Sequence, residues 1–145
     1  MGHPTILVVT DNETRRRMIE FAIEACRFES NRYFVRTGGE LIDYLNGFTT
    51  NQVSKPRPDL ILVDVAESED TQWQTLATAT TETALHKIPM IALTPEDDSE
   101  QTRFCADLNI VTYLPEPPLF LQLVDELEDL FVAWLGIEIE NGVIH

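Results

Sequence analysis

Short apolar runs alternate along this chain with longer stretches in which apolar positions recur every three or four residues. The first pattern fits strands buried on both faces, and the second fits helices with one covered face. Thr5–Val9 reads as a buried strand, and Glu13–Arg27 as a helix whose Met18, Phe21, Ala22, Ala25 and Cys26 share a face. Tyr33–Arg36 is a shorter, more polar strand, Gly39–Asn46 a second helix through Leu41, Ile42 and Leu45, and Gly47–Arg57 a polar connection. Pro58-Asp59 opens the most apolar strand, Leu60–Val65. Beyond it the pattern predicts a third helix over Thr71–His86 and a fourth strand over Pro89–Leu93. A fourth helix over Ser99–Leu108, a fifth strand over Ile110–Leu114 and a fifth helix over Leu119–Leu135 complete it.

Five strands alternating with five helices require parallel pairing, because each crossover must be right-handed and must cover a sheet face. The expected fold is a three-layer α/β sandwich. Its fully apolar strands belong at the centre and the polar Tyr33–Arg36 strand at an edge.

Length and charge then narrow the function classes. The 145 residues fit one compact domain, read as 1–136 with a C-terminal tail over 137–145. Acidic side chains number 25 against 10 basic, and residues 58–145 hold 18 of those acids with 2 bases. Nucleic-acid binding, which needs clustered cations, is therefore disfavoured. Cys26 and Cys105 lie far apart with no CxxC or Cys/His pattern, so neither a disulfide framework nor a zinc site is indicated. Ile6–Val9 and Leu60–Val63 are too short to span a bilayer, and Met1–Pro4 lacks the start of a signal peptide. The expectation is a soluble, cytoplasmic protein without membrane contact.

In open parallel sheets the functional crevice lies beyond the carboxyl ends of the strands, where the winding reverses. Thr10-Asp11 follows the first strand, Asp64 ends the third, Thr94 follows the fourth and Glu116 the fifth. Two carboxylates ending adjacent central strands repel unless a cation sits between them or one takes up a proton. Mg²⁺ is the natural occupant. With that charge screened, the carboxylate of Asp64 can attack a phosphoryl group while the Thr94 hydroxyl binds one of its oxygens.

At these residues the chain resembles the receiver domains of two-component response regulators. The resemblance runs through Ile6-Leu7-Val8-Val9-Thr10-Asp11-Asn12, Pro58-Asp59-Leu60-Ile61-Leu62-Val63-Asp64, Ile88-Pro89-Met90-Ile91-Ala92-Leu93-Thr94 and Tyr113-Leu114-Pro115-Glu116-Pro117. It implies a flavodoxin-like (βα)5 sandwich with a parallel five-stranded sheet in the order 2-1-3-4-5. Asp64 would be the phosphoacceptor, Asp11 a metal-binding carboxylate, and Ala66 the residue whose backbone carbonyl completes the protein's ligands to Mg²⁺. Thr94 would be the switch hydroxyl and Tyr113 the aromatic that changes rotamer with it. The long loop before Pro58 and the segment Phe131–Leu135 look most like the single-domain regulators associated with bacterial phytochromes. The implied partners are a sensor histidine kinase or phosphotransfer protein, a downstream protein target, and a second copy through the fourth helix, fifth strand and fifth helix. No enzymatic or DNA-binding output is expected.

The departures from that family fall in the site. Receivers usually carry two acids after the first strand, and here the first is Thr10. They carry a lysine before the fifth-strand proline, and this chain has Glu116. Ser68 and Gln72 look like the positions of a usual proline and glycine, and Pro95 follows the threonine where a small residue is customary. A phosphoryl group on Asp64 adds nearly two negative charges, which a nearby carboxylate opposes by on the order of a few kcal/mol. Phosphorylation is therefore expected to be impaired. Alternatively Glu116 replaces the lost acid, so that Asp11, Asp64 and Glu116 together hold a divalent cation.

Plainer roles stand beside these. Thr10-Asp11-Asn12-Glu13 matches a capping box with Thr10 as N-cap. Asp11 also suits a helix start, Thr94 a loop cap, Tyr113 a half-buried strand position and Glu116 a solvated loop, with a cis bond before Pro117 if the family geometry is kept. Arg15-Arg16-Arg17 reads as a solvated helix face or as a contact for an acidic partner. In the last helix Phe120, Val124, Leu127, Phe131 and Trp134 form a stripe, with Leu121, Val132 and Leu135 off it. The surplus suits a dimer interface or a cover made by Ile137, Ile139, Val143 and Ile144. Two function classes follow: a divergent receiver, phosphorylated or acting as a pseudo-receiver, and a flavodoxin-like ligand-binding protein or enzyme such as a flavin carrier or phosphatase. The absence of a glycine-bearing phosphate loop in Thr10–Glu13, and Ala66 in place of a second acid, weigh against the second class.

Overall fold

The computed structural model describes residues 3–49, 56–64, 87–94 and 112–136. In chain order its elements are β1 (Thr5–Val9), α1 (Glu13–Glu24), β2 (Asn31–Val35), α2 (Gly38–Thr49), β3 (Leu60–Asp64), β4 (Met90–Thr94), β5 (Thr112–Pro115) and α3 (Phe120–Leu135). The helices expected over Thr71–His86 and Ser99–Leu108 lie outside the described residues, so α3 is the helix that the pattern placed fifth.

All five strands pair in parallel in the order β2-β1-β3-β4-β5. The polar β2 takes an edge, while β1, β3 and β4 are buried at every position except the half-buried Asp64. Because alternate strand residues leave opposite faces, the apolar runs fill two cores at once. Leu7, Val9, Ile61, Val63, Met90 and Ala92 pack with Leu41, Tyr44 and Leu45 of α2. Ile6, Val8, Leu60, Leu62, Ile91 and Leu93 pack with Ile19, Ala22 and Ile23 of α1 and Leu123, Leu127 and Phe131 of α3. This is the three-layer, flavodoxin-like sandwich.

The helix faces correct the sequence expectation in two places. On α1 the buried side chains are Ile19, Ala22 and Ile23, and Phe21 points out at 61% exposure. Apolar residues surround this helix, so two stripes compete, and the one carrying the two β-branched isoleucines meets the sheet. On α3 the middle of the predicted stripe is buried, joined by Leu123 and Glu128, whereas its ends Phe120 and Trp134 are exposed. Glu128 is tolerated there because Arg27 covers it: the Arg27 backbone N–H and guanidinium both donate to its carboxylate. Phe28 meets Phe131 edge-on at 5.8 Å just beyond.

The end of α3 is set by Gly136, whose φ of +65° lets its N–H close on Val132 O. Among the described residues no helix is long and apolar enough to cross a membrane.

Candidate functional site at the carboxyl edge of the sheet

Strand register assembles the site. Val9 lies level with Val63, so Thr10 and Asp64 emerge side by side where β1 and β3 end. Thr94 pairs with Pro115, and the Glu116 N–H donates to Thr94 O at 2.8 Å, which fixes Glu116 just past β5. Thr10, Asp64, Thr94 and Glu116 thus stand along one edge, as the sequence predicts.

What the sequence reading missed is the cation that joins them. Arg15, on the first turn of α1, donates from Nε to Asp64 Oδ2 at 2.6 Å and from both Nη atoms to the Glu116 carboxylate. Thr10 Oγ1 donates to the same Asp64 oxygen at 3.0 Å. The side chain of Asp64 is 3% exposed, that of Arg15 15% and that of Glu116 27%. Burial works against the charge on Arg15, yet hydrogen bonds and attraction from Glu116 and Asp64 outweigh it and hold the guanidinium above its ordinary pKa. The neighbours in the arginine run do other work: Arg16 lies over the Phe34 ring at 4.8 Å and Arg17 makes an exposed pair with Glu13. Arg15 is therefore neither a solvated face nor free for a partner.

Asn12, rather than Thr10, caps α1, its Oδ1 accepting from Arg15 N at 3.0 Å. The capping box gives way because the Thr10 hydroxyl is turned to Asp64, where it satisfies a covered carboxylate, while also accepting weakly from Asn12 N. That cap fixes the backbone from which Arg15 projects. Asp11 is exposed beside a groove of about 290 Å³ lined also by Thr10, Arg16, Phe34 and Arg36. Thr94 is buried, and Tyr113 is half-buried against the α2-side core. Ala66, Ser68, Gln72 and Pro95 lie outside the described residues. The bond before Pro117 is trans, since no described residue follows a cis peptide; trans is the lower-energy form for X–Pro, and it replaces the cis geometry expected by analogy.

A divalent cation is implied by the resemblance, and the donors can be tested against it. Such an ion takes a shell of several oxygens. Among the described residues no three His, Cys, Asp or Glu side chains are gathered as such a cage. Asp64 and Glu116 converge on Arg15 instead, so this donor set fits a guanidinium and not Mg²⁺ held by Asp11, Asp64 and Glu116. Chemically, the site neutralises a covered carboxylate with a fixed cation.

No protein-family model matches the chain. A curated relative, "Probable methanogenesis regulatory protein FilR2" of Methanothrix harundinacea, is 27% identical over 131 residues, covering 90% of this chain and 83% of the relative. Among solved structures, the phosphorylated cyanobacterial phytochrome response regulator RcpA is similar with a TM-score of 0.74 and 24% identity, covering 97% of this chain and all of that one. The Mn²⁺-bound response regulator Rcp1 is similar at 0.69 and 20%, covering 95% and 96%. RPA3017, a response regulator in red light signalling of R. palustris, matches at 0.75 and 17%, covering 91% and 94%. From sheet order to helix placement, the chain has the fold of the response regulator receiver domain.

Proposed function

We propose that this chain is a receiver-type signalling module that acts through protein contacts and whose Asp64 is impaired as a phosphoacceptor. The observation that carries the reading is the Arg15 bridge: one oxygen of the Asp64 carboxylate, Oδ2, already accepts from both Arg15 Nε and Thr10 Oγ1. A phosphoryl group there would add nearly two negative charges beside Glu116, an opposition on the order of a few kcal/mol, with one guanidinium to serve both. Its partners are then a sensor histidine kinase or phosphotransfer protein and a downstream protein target, with no catalytic turnover of its own. Leu119, Phe120, Leu121 and Trp134, all exposed around α3, suit a second copy of the chain.

A second reading takes its support from the relatives, since RcpA is described as phosphorylated and Rcp1 as Mn²⁺-bound. In it Asp11, Asp64 and the Ala66 carbonyl would hold Mg²⁺ in place of Arg15, the ion would screen the charge on Asp64, Asp64 would accept the phosphoryl group, and Thr94 and Tyr113 would report it. Prompt intact-mass analysis after incubation with Mg²⁺ and a small acyl phosphate, with Asp64→Ala as control, decides between them. The first reading expects no adduct under conditions that label an ordinary receiver; an adduct on wild type alone establishes the second.

A further inference from the structure

We propose that the guanidinium of Arg15 is the resident cation of this site, a tethered substitute for an exchangeable divalent ion, so that Asp64 stays covered and charge-balanced without metal. The inference rests on the reading of the site as a divergent receiver site and deepens it. Three observations carry it. Carboxylates from two separate strand ends, Asp64 after β3 and Glu116 after β5, meet on one side chain. The fork is divided between them, Nε to one and the Nη edge to the other, which is the bridging a small dication would supply. And Arg15 is bound to two carboxylates at 15% exposure, whereas Arg17 makes a single exposed pair at 68%.

A guanidinium and a divalent ion oppose each other here. To coordinate Asp64 the ion must either take the oxygen that Arg15 holds at 2.6 Å or sit on the same carboxylate beside a cation that cannot lose its proton at any ordinary pH. The side chain is bonded to the chain and its backbone is fixed by the Asn12 cap, so it is never diluted, whereas a metal must be drawn from solution. Removing that charge leaves Asp64 and Glu116 as like charges without their shared counter-ion, which raises their attraction for any cation.

The test is Mn²⁺ binding to the full chain, read from the paramagnetic signal of the free ion. Arg15→Gln should bind Mn²⁺ roughly tenfold or more tighter than wild type, and the gain should vanish in Arg15→Gln/Asp64→Asn. Arg15→Lys, which keeps the charge, should stay close to wild type. Equal affinities for wild type and Arg15→Gln, both tight or both weak, would overturn the inference. Should Arg15→Gln not fold, wild type decides alone: its Arg15 Nε–H resonance should stay in place under millimolar Mg²⁺, and displacement of that resonance would sink the idea. Phosphorylation of wild-type Asp64 would instead overturn the reading beneath it, and that is seen by mass and not by Mn²⁺.

Discussion

Breaking the Arg15 bridge has a stability cost that follows from how deeply each partner lies. With Arg15→Met, the 3% exposed carboxylate of Asp64 keeps the Thr10 hydroxyl but loses its counter-charge. Removing one partner of a fully buried pair costs about 3–5 kcal/mol. Here Arg15 and Glu116 are 15% and 27% exposed, so water reaches part of the vacated space and about 2–3 kcal/mol is the better figure. Asp64→Asn removes the charge itself while Arg15 keeps Glu116, which costs about 1 kcal/mol. The double variant has no buried charge left to strand and should lose about 2 kcal/mol, giving a coupling of about 1.5 kcal/mol between the two positions. Urea unfolding followed by circular dichroism, in chelator and at constant m, measures all four corners of the cycle. If the two losses add within about 0.5 kcal/mol, or if Arg15→Met alone costs less than that, Arg15 is a solvated surface arginine and the bridge is not a stabilising element.

Three further outcomes follow from the same geometry. Glu116→Lys exchanges the carboxylate beside Asp64 for a cation, so acyl-phosphate labelling of Asp64 by intact mass should rise well above wild type; an equally unlabelled variant would show that Glu116 is not what opposes the phosphoryl group. The carboxyl of Glu128 is held below the usual carboxylate range by hydrogen bonds from the Arg27 side chain, against the opposing effect of burial. Its folded pKa lies below the unfolded value, so its contribution is full above about pH 4.3 and lost as pH falls further. Tm measured from neutral to acid pH should therefore fall less steeply in Glu128→Gln, and parallel curves would refute the assignment. Burial, aided by Glu128 and Asp125, pushes the Cys26 thiol up to about 12. In a Cys105→Ser background a maleimide at mildly alkaline pH should label Cys26 only after unfolding, and rapid native labelling would contradict this.

The fold was legible because strand runs and helix periods differ so sharply here. Leu60-Ile61-Leu62-Val63 could only be a strand covered on both faces, and Tyr33, set among polar neighbours, only an edge. Which face of α1 turns inward was not, since Met18, Ile19, Phe21, Ala22 and Ile23 supply apolar residues in every direction and only packing against Val8 and Leu62 chooses among them. The strand-end acids were equally legible, because register alone delivers Asp64 and Glu116 to one edge. Arg15 was hidden inside a run of three arginines that point about 100° apart, and no local rule says which one meets the strand-end acids. A signal did exist. Arg15 lies four residues before Ile19 and seven before Ala22, on the stripe that the structure buries, and a buried stripe that begins with a cation beside two acids implies a bridge.

That placement changes what the loss of the lysine means. Against the pattern usual in the receivers it resembles, the chain carries Thr10 where an acid is customary and Glu116 where a lysine is, two differences that look independently damaging in sequence. In three dimensions they complement each other: Glu116 supplies an acid on the β5 side, and Arg15 supplies the cation from the β1 side, next to the threonine that now hydrogen-bonds Asp64. On the proposed reading the site is therefore rearranged and not merely eroded. Its counter-charge comes from α1, and the segment just past the far end of that helix is in turn held to α3 by Arg27–Glu128 and Phe28–Phe131. Any event that pulled Arg15 away would leave Asp64 and Glu116 without their shared counter-charge at a cost on the order of a few kcal/mol, which couples the state of Asp64 to the position of α1.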